Sequence, residues 1–146
     1  MKFVVREGLY VKAGNFAECD MISSLVQDSL LHVLFHSFHE EQKCLRFMLN
    51  RFCWESANAC EQDKCYYRVH SGLYIYNVDS IFSYGNLKRN EYLNLLTFHA
   101  SAEEICMVFS GNRHIRISVN GISVYLKDLH DKYPTTCIPI HDIYKY

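Results

Sequence analysis

The sequence predicts an α+β fold, mainly antiparallel β-sheet with one N-terminal helix, and three features predict it. The first is a helical period near the start: Ile22, Leu25, Val26 and Leu30 recur at spacings of three, one and four, on one helical face. The second is a change to a period of two from about Val33, which sends alternate residues to opposite faces of a strand. The third is the return of polar turns between the alternating runs: Glu40-Glu41-Gln42-Lys43, Ser110-Gly111-Asn112 and Asn120-Gly121.

Taken in order, Lys2 to Arg6 reads as a short strand. Gly14-Asn15 leads into the helix, with Asn15 as its cap and Glu18 three residues on, a variant of the capping box. The helix is expected to end near Ser29 or Leu30. A strand around Val33 to Phe38 and a second from Cys44 to Glu55 form a hairpin, and residues 56–65 read as a loop. Tyr67 to Tyr76, Val78 to Tyr84 and Tyr92 to His99 read as further strands. From residue 92 to 127 the pattern is a meander of about four strands. Within it, Asn120-Gly121 is expected to make a type I′ turn that sets Val119 opposite Ile122, Ile117 opposite Val124 and Ile115 opposite Leu126.

About eight strands and the long meander suggest a roll or partly open barrel of the pleckstrin-homology-like sort; a two-layer sheet-plus-helix sandwich is the alternative. The only prolines, Pro134 and Pro139, lie in a tail (131–146) expected on the surface, outside a core of about 2–130. Residues 1–146 read as one domain, a length that supports a real apolar core. A weak internal echo links Leu31, Leu34, Glu41, Cys44 and Phe47 to Leu93, Leu96, Glu103, Cys106 and Phe109 at a constant offset. Two hairpins of similar binary pattern account for it better than a duplication does.

Composition limits function. The apolar share is 49% and the net charge −1, with both signs scattered, so the sequence offers no basic stripe for phosphates and nucleic acid is not an expected partner. No window is long and apolar enough to span a membrane. The N-terminus carries no secretory signal pattern. Seven cysteines, an odd number with several set in alternating runs, suit free thiols in a reducing cytoplasm.

The densest chemical block is Asn50-Arg51-Phe52-Cys53-Trp54-Glu55. Together with Leu25-Val26-Gln27-Asp28, Arg68-Val69-His70-Ser71-Gly72-Leu73, Ile115-Arg116-Ile117-Ser118-Val119 and Leu126-Lys127-Asp128-Leu129, it resembles an alphaproteobacterial family, domain of unknown function 2948. The resemblance covers roughly residues 18 to 130. It implies a small cytoplasmic bacterial protein and no chemistry.

If the strand runs through to Glu55, Asn50, Phe52 and Trp54 face one way, and Arg51, Cys53 and Glu55 the other. Arg51 then shares a face with Leu45, Phe47 and Leu49 and needs a carboxylate, for which Asp28 is a candidate. One reading makes Arg51 a structural pin between helix and sheet. The other makes Asn50, Arg51, Trp54, Glu55 and Asp28 a site for an anionic small molecule, with Trp54 as a stacking wall.

Cys53, Cys60, Cys65 and His70 could in principle enclose zinc, but they lack a tight C-x2-C knuckle. No metal or cofactor is expected. The eight histidines accompany no nucleophile elbow, phosphate loop or dinucleotide fingerprint, and no catalytic residue emerges. Eleven tyrosines, among them Tyr74 and Tyr76 opposite Leu73 and Ile75, form a contact stripe if their face is open and part of the core if it is covered. The function predicted is a non-catalytic binding or adaptor domain that meets a protein partner, or itself, through a sheet face or edge strand. The alternative is a small-molecule binder or enzyme around Asn50, Arg51 and Trp54.

Overall fold

The structure, a computed structural model, describes residues 8–56, 66–88, 90–136 and 139, and for residues 34 and 35 the backbone only. The expected strand at residues 2–6 and most of the 56–65 loop lie outside the described residues.

Helix α1 (Phe16–Val26) begins at the expected cap: Asn15 Oδ1 accepts the Glu18 N–H at 2.9 Å, and Glu18 Oε1 accepts Asn15 Nδ2 at 2.8 Å. Asn15→Ala should cost about 1 kcal/mol, read as a fall in the midpoint of urea unfolding. The helix ends earlier than its apolar period suggests. Gln27 turns extended and Asp28 is left-handed (φ 62°), so Leu30 already belongs to the next strand.

Ten strands follow the element order β1 (Tyr10–Ala13), β2 (Leu30–His39), β3 (Cys44–Phe52), β4 (Tyr66–Ile75), β5 (Val78–Tyr84), β6 (Tyr92–Ala100), β7 (Glu104–Phe109), β8 (Arg113–Val119), β9 (Val124–Asp128) and β10 (Tyr133–Thr135), among the described residues. All pairings are antiparallel, in the order β1-β9-β4-β3-β2-β6-β7-β8-β5, with β10 beside β4. The α+β, mainly antiparallel prediction therefore holds. The sheet does not close into a barrel, and β10 lies in the expected surface tail.

The expected hairpin at the end of the meander is overturned. Asn120-Gly121 does not join a hairpin: β8 pairs with β5 and β7, whereas β9 pairs with β1 and β4. Asn77, itself at φ 59°, takes the Asn120 N–H on its carbonyl at 2.8 Å and sends Nδ2 toward the Gly121 carbonyl at 3.4 Å. These bonds carry the chain across from one half of the sheet to the other. The apolar residues expected to face each other are nonetheless largely core: Ile117, Val119, Val124 and Leu126 are all buried.

The β6-β7-β8 meander is formed, with Gly111 and Asn112 both at positive φ in its second turn. The echoed segments fall on the β2-β3 hairpin and on β6-β7. They meet at β2-β6, where Leu31 lies opposite Leu93, the first pair of the echo.

A single cluster of buried apolar residues draws on both halves of the sheet and on α1, whose Cys19, Ile22 and Val26 are fully buried. The helix lies over β6, and its Ser23 Oγ accepts the Phe98 N–H at 3.1 Å.

Candidate functional site

β3 ends at Phe52, and Trp54–Ser56 form a short 3-10 turn. The expected extension of the strand to Glu55 is therefore corrected. The turn swings Glu55 back to Arg51, four residues earlier, as a bidentate pair: Nη1–Oε2 and Nη2–Oε1 are both 2.8 Å. On the other side Arg51 meets Asp128 of β9, with Nε–Oδ1 at 3.3 Å and Nη2–Oδ2 at 3.1 Å. Ser71 Oγ donates to Asp128 Oδ1 at 2.6 Å, and the Leu9 N–H to Oδ2 at 3.0 Å. Arg51 is fully buried and Asp128 nearly so (8% exposed). Each desolvated charge thus has an opposite charge and further hydrogen bonds, the condition under which a buried pair persists.

The other expected members disperse. Asp28 accepts Asn94 Nδ2 at 3.1 Å, and its N–H goes to the Leu95 carbonyl at 2.7 Å, so the carboxylates on Arg51 are Glu55 and Asp128 instead. Trp54 Nε1 donates to the Gln27 carbonyl at 2.7 Å and its ring meets Phe52 edge-on at 4.6 Å. The helix end is thus tied to the sheet by Trp54. Asn50 points to the opposite face, donating Nδ2 to the Tyr133 hydroxyl at 2.8 Å.

Beside the Arg51 pair lies a cavity of about 600 Å³ that Cys53, Glu55, Asp128, His130, Asp131 and Lys132 help to line. Burial, ahead of the neighbouring charges, pushes the Cys53 thiol up to about 11, which keeps it protonated and unreactive at neutral pH. For Glu55, burial raises the pKa and the Arg51 hydrogen bonds lower it, with a net value below the ordinary 4.5. A carboxylate depressed by folding adds stability above its unfolded pKa and loses it as pH falls through the folded value. The melting temperatures of wild type and Glu55→Gln should therefore converge as the pH drops below about 4.5.

Of the zinc candidates, Cys60 and Cys65 lie outside the described residues. Among the described residues, no three His, Cys, Asp or Glu side chains group as a metal set. No helix among them is long and apolar enough to cross a membrane.

The outer face of β1-β9-β4-β3 is assembled in register. Tyr10 lies opposite Lys127, Lys12 opposite Tyr125, Tyr125 opposite Tyr74, Tyr74 opposite Arg46 and Gly72 opposite Met48. Tyr125 contacts Tyr76 (5.5 Å between centroids) and Tyr10 (6.1 Å), and Lys12 Nζ lies 5.5 Å from its ring. Arg46 covers Tyr74 at 5.8 Å. A Cβ on Gly72 would come within 2.6 Å of the Tyr74 hydroxyl, so the missing side chain gives that ring its resting place. Tyr74, Tyr76 and Tyr125 are half-buried and Tyr10 exposed. The Tyr74–Tyr76 stripe is therefore a sheet surface and not core. The contribution of β9 and β1 was not read from the sequence, because it depends on long-range register.

These features define a class: an α+β domain with an open antiparallel sheet and a basic tyrosine face. The chain belongs to the family described as protein of unknown function (DUF2948), whose profile matches residues 9–141. Comparison with curated proteins and with solved structures returns no match.

Proposed function

We propose that the protein is a non-catalytic binding domain that holds an acidic segment of a partner protein on the outer face of β1-β9-β4-β3. One observation carries this reading. The outward positions in register there bring Tyr10, Tyr74, Tyr125 and Met48 together with Lys12, Lys127 and Arg46, and none of them is an acid. The chain as a whole has 16 acidic against 15 basic residues, so the fold sorts its scattered charges by face. Tyrosine supplies contact area at low conformational cost, and the cations select the charge of what it meets.

The test is affinity capture from the source cell, wild type against Tyr74→Lys with Tyr125→Lys. A partner retained by wild type and lost by the variant, through an acidic segment, supports the reading. An oligonucleotide that binds the same face more tightly than any protein overturns it. The bacterial, reducing, cytoplasmic setting belongs to the same proposal, supported by Cys19, Cys44, Cys53 and Cys106 as free thiols.

The cavity beside Glu55 and Asp131 favours a second reading, a small-molecule site. Arg51 could not be its clamp without giving up Glu55 and Asp128. A thermal-shift panel of metabolites, nucleotides, anionic headgroups and divalent metals tests it. A saturable shift would support this site, and a flat panel would count against it.

A further inference from the structure

The sheet fails to close at one place, and among the described residues neither edge there carries a neighbouring strand. On one side is β5, whose partner is β8 alone. Along β8 the Val119 N–H goes to the Glu103 carbonyl beside β7, and the Asn120 N–H goes to Asn77 beside β5. Backbone groups alternate along an antiparallel strand, so Ser118, Arg116 and His114 turn toward their register partners Ser80, Phe82 and Tyr84. Ile81 and Ser83 therefore turn their N–H and C=O groups to the open edge.

On the other side is β2. It pairs with β6 through His32, its Val33 N–H goes to the Glu91 carbonyl at 3.0 Å, and beyond a register break it pairs with β3 over His36–His39, where no strand among the described residues takes its other edge. At one end the Val78 N–H of β5 goes to the carbonyl of Lys43, in the β2-β3 turn, at 3.0 Å.

Between them lies a cleft of about 460 Å³ lined by Val33, Leu45, Phe47, Leu87, Leu93 and Ile115, among others. Ile81 belongs to the same lining, yet it is 41% exposed, because no other segment among the described residues covers it. Among the described residues, no Lys, Arg, Asp or Glu side chain lines the cleft.

We infer that this cleft is a second binding site, which takes one extended, uncharged segment of a partner protein as an added strand between β5 and β2. Two facing strand edges specify the backbone of the occupant, since only a β-strand satisfies both. The mainly apolar walls, whose polar members are His36, Ser37 and Ser83, specify its inward side chains: alternate aliphatic residues gain by burial, whereas a cationic side chain there would be desolvated with no carboxylate partner among the described residues. A strand still attached to its own folded sheet has one free edge, so it cannot sit between two. A tail or an opened loop can.

The probe is a short fluorescein-labelled peptide of alternating Val and Thr, with a control in which the central Val is Lys. Wild type should bind the first saturably and the second not. Ser83→Pro removes one N–H facing the cleft at a position where an edge strand tolerates proline. It should weaken binding by about fivefold to tenfold. In wild type, amide exchange at Ile81 and Ser83 should be fast in the free protein and slowed by the peptide, while Ser80 and Phe82 are protected throughout.

Absence of saturation, equal binding of the Lys peptide, or no change in exchange at Ile81 and Ser83 would overturn the inference. So would a dimer in which those two amides are protected without peptide, because a second copy would then fill the edge. Tyr74→Lys with Tyr125→Lys should leave peptide binding unchanged, which separates this site from the tyrosine face.

Discussion

Arg51→Leu should lower stability by about 3–5 kcal/mol. The substitution leaves Asp128 buried at 8% exposure, with Ser71 and the Leu9 amide as hydrogen-bond donors and without its Arg51 ion pair. Glu55, whose side chain is 40% exposed, can return to water and adds little to the loss. For a chain of this size the cost corresponds to a fall of roughly 10 °C in Tm, measured by thermal denaturation without any ligand. Pairing it with Asp128→Leu should recover a large part of the loss, because removing both partners also removes the orphaned charge. An arginine serving mainly as a ligand clamp would behave in the opposite way, with Tm unmoved and binding gone.

Phe98→Ala should cost about 3–5 kcal/mol by a different route. Phe98 is 1% exposed on β6, the strand under α1, and its backbone N–H is the donor to Ser23. Truncating the ring opens a cavity between helix and sheet, and the fully buried Cys19, Ile22 and Val26 lose close packing. The check is urea denaturation: the midpoint should fall with little change in slope, because the same surface is still exposed on unfolding.

The sequence discloses what depends on neighbours in the chain and hides what depends on register. Asn15 and Glu18 announce the helix start because a cap is a local hydrogen-bond problem. The burial of Arg51 was readable too, since Leu45, Phe47 and Leu49 lead straight to it along one face. Its partner was equally present: Val124, Leu126 and Asp128 form a second apolar run that ends in a charge of opposite sign. Two such runs, each carrying an unexplained charge at an inward position, are a pairing signal; Asp28, outside any such run, is not.

The false hairpin at Asn120-Gly121 shows the converse. Those two residues suit a tight turn, but Asn77 binds both of them and β4 and β7 take the flanking strands. Binary pattern gives which residues are buried, and it is silent on which strand each will meet. The tyrosine face and the open β5 edge both arise from such long-range register, so neither could be assembled from local pattern.

The measurement that tests the account most directly is hydroxyl-radical labelling of tyrosine side chains, in the free protein and in complex with a captured partner. Tyr10, Tyr74 and Tyr125 should react in the free protein and be protected in the complex, with Tyr84 on β5 unchanged by a partner bound only to that face. Tyr10, Tyr74 and Tyr125 reacting equally in both states, with protection falling instead on His130 and Lys132 beside the Glu55 cavity, would contradict it.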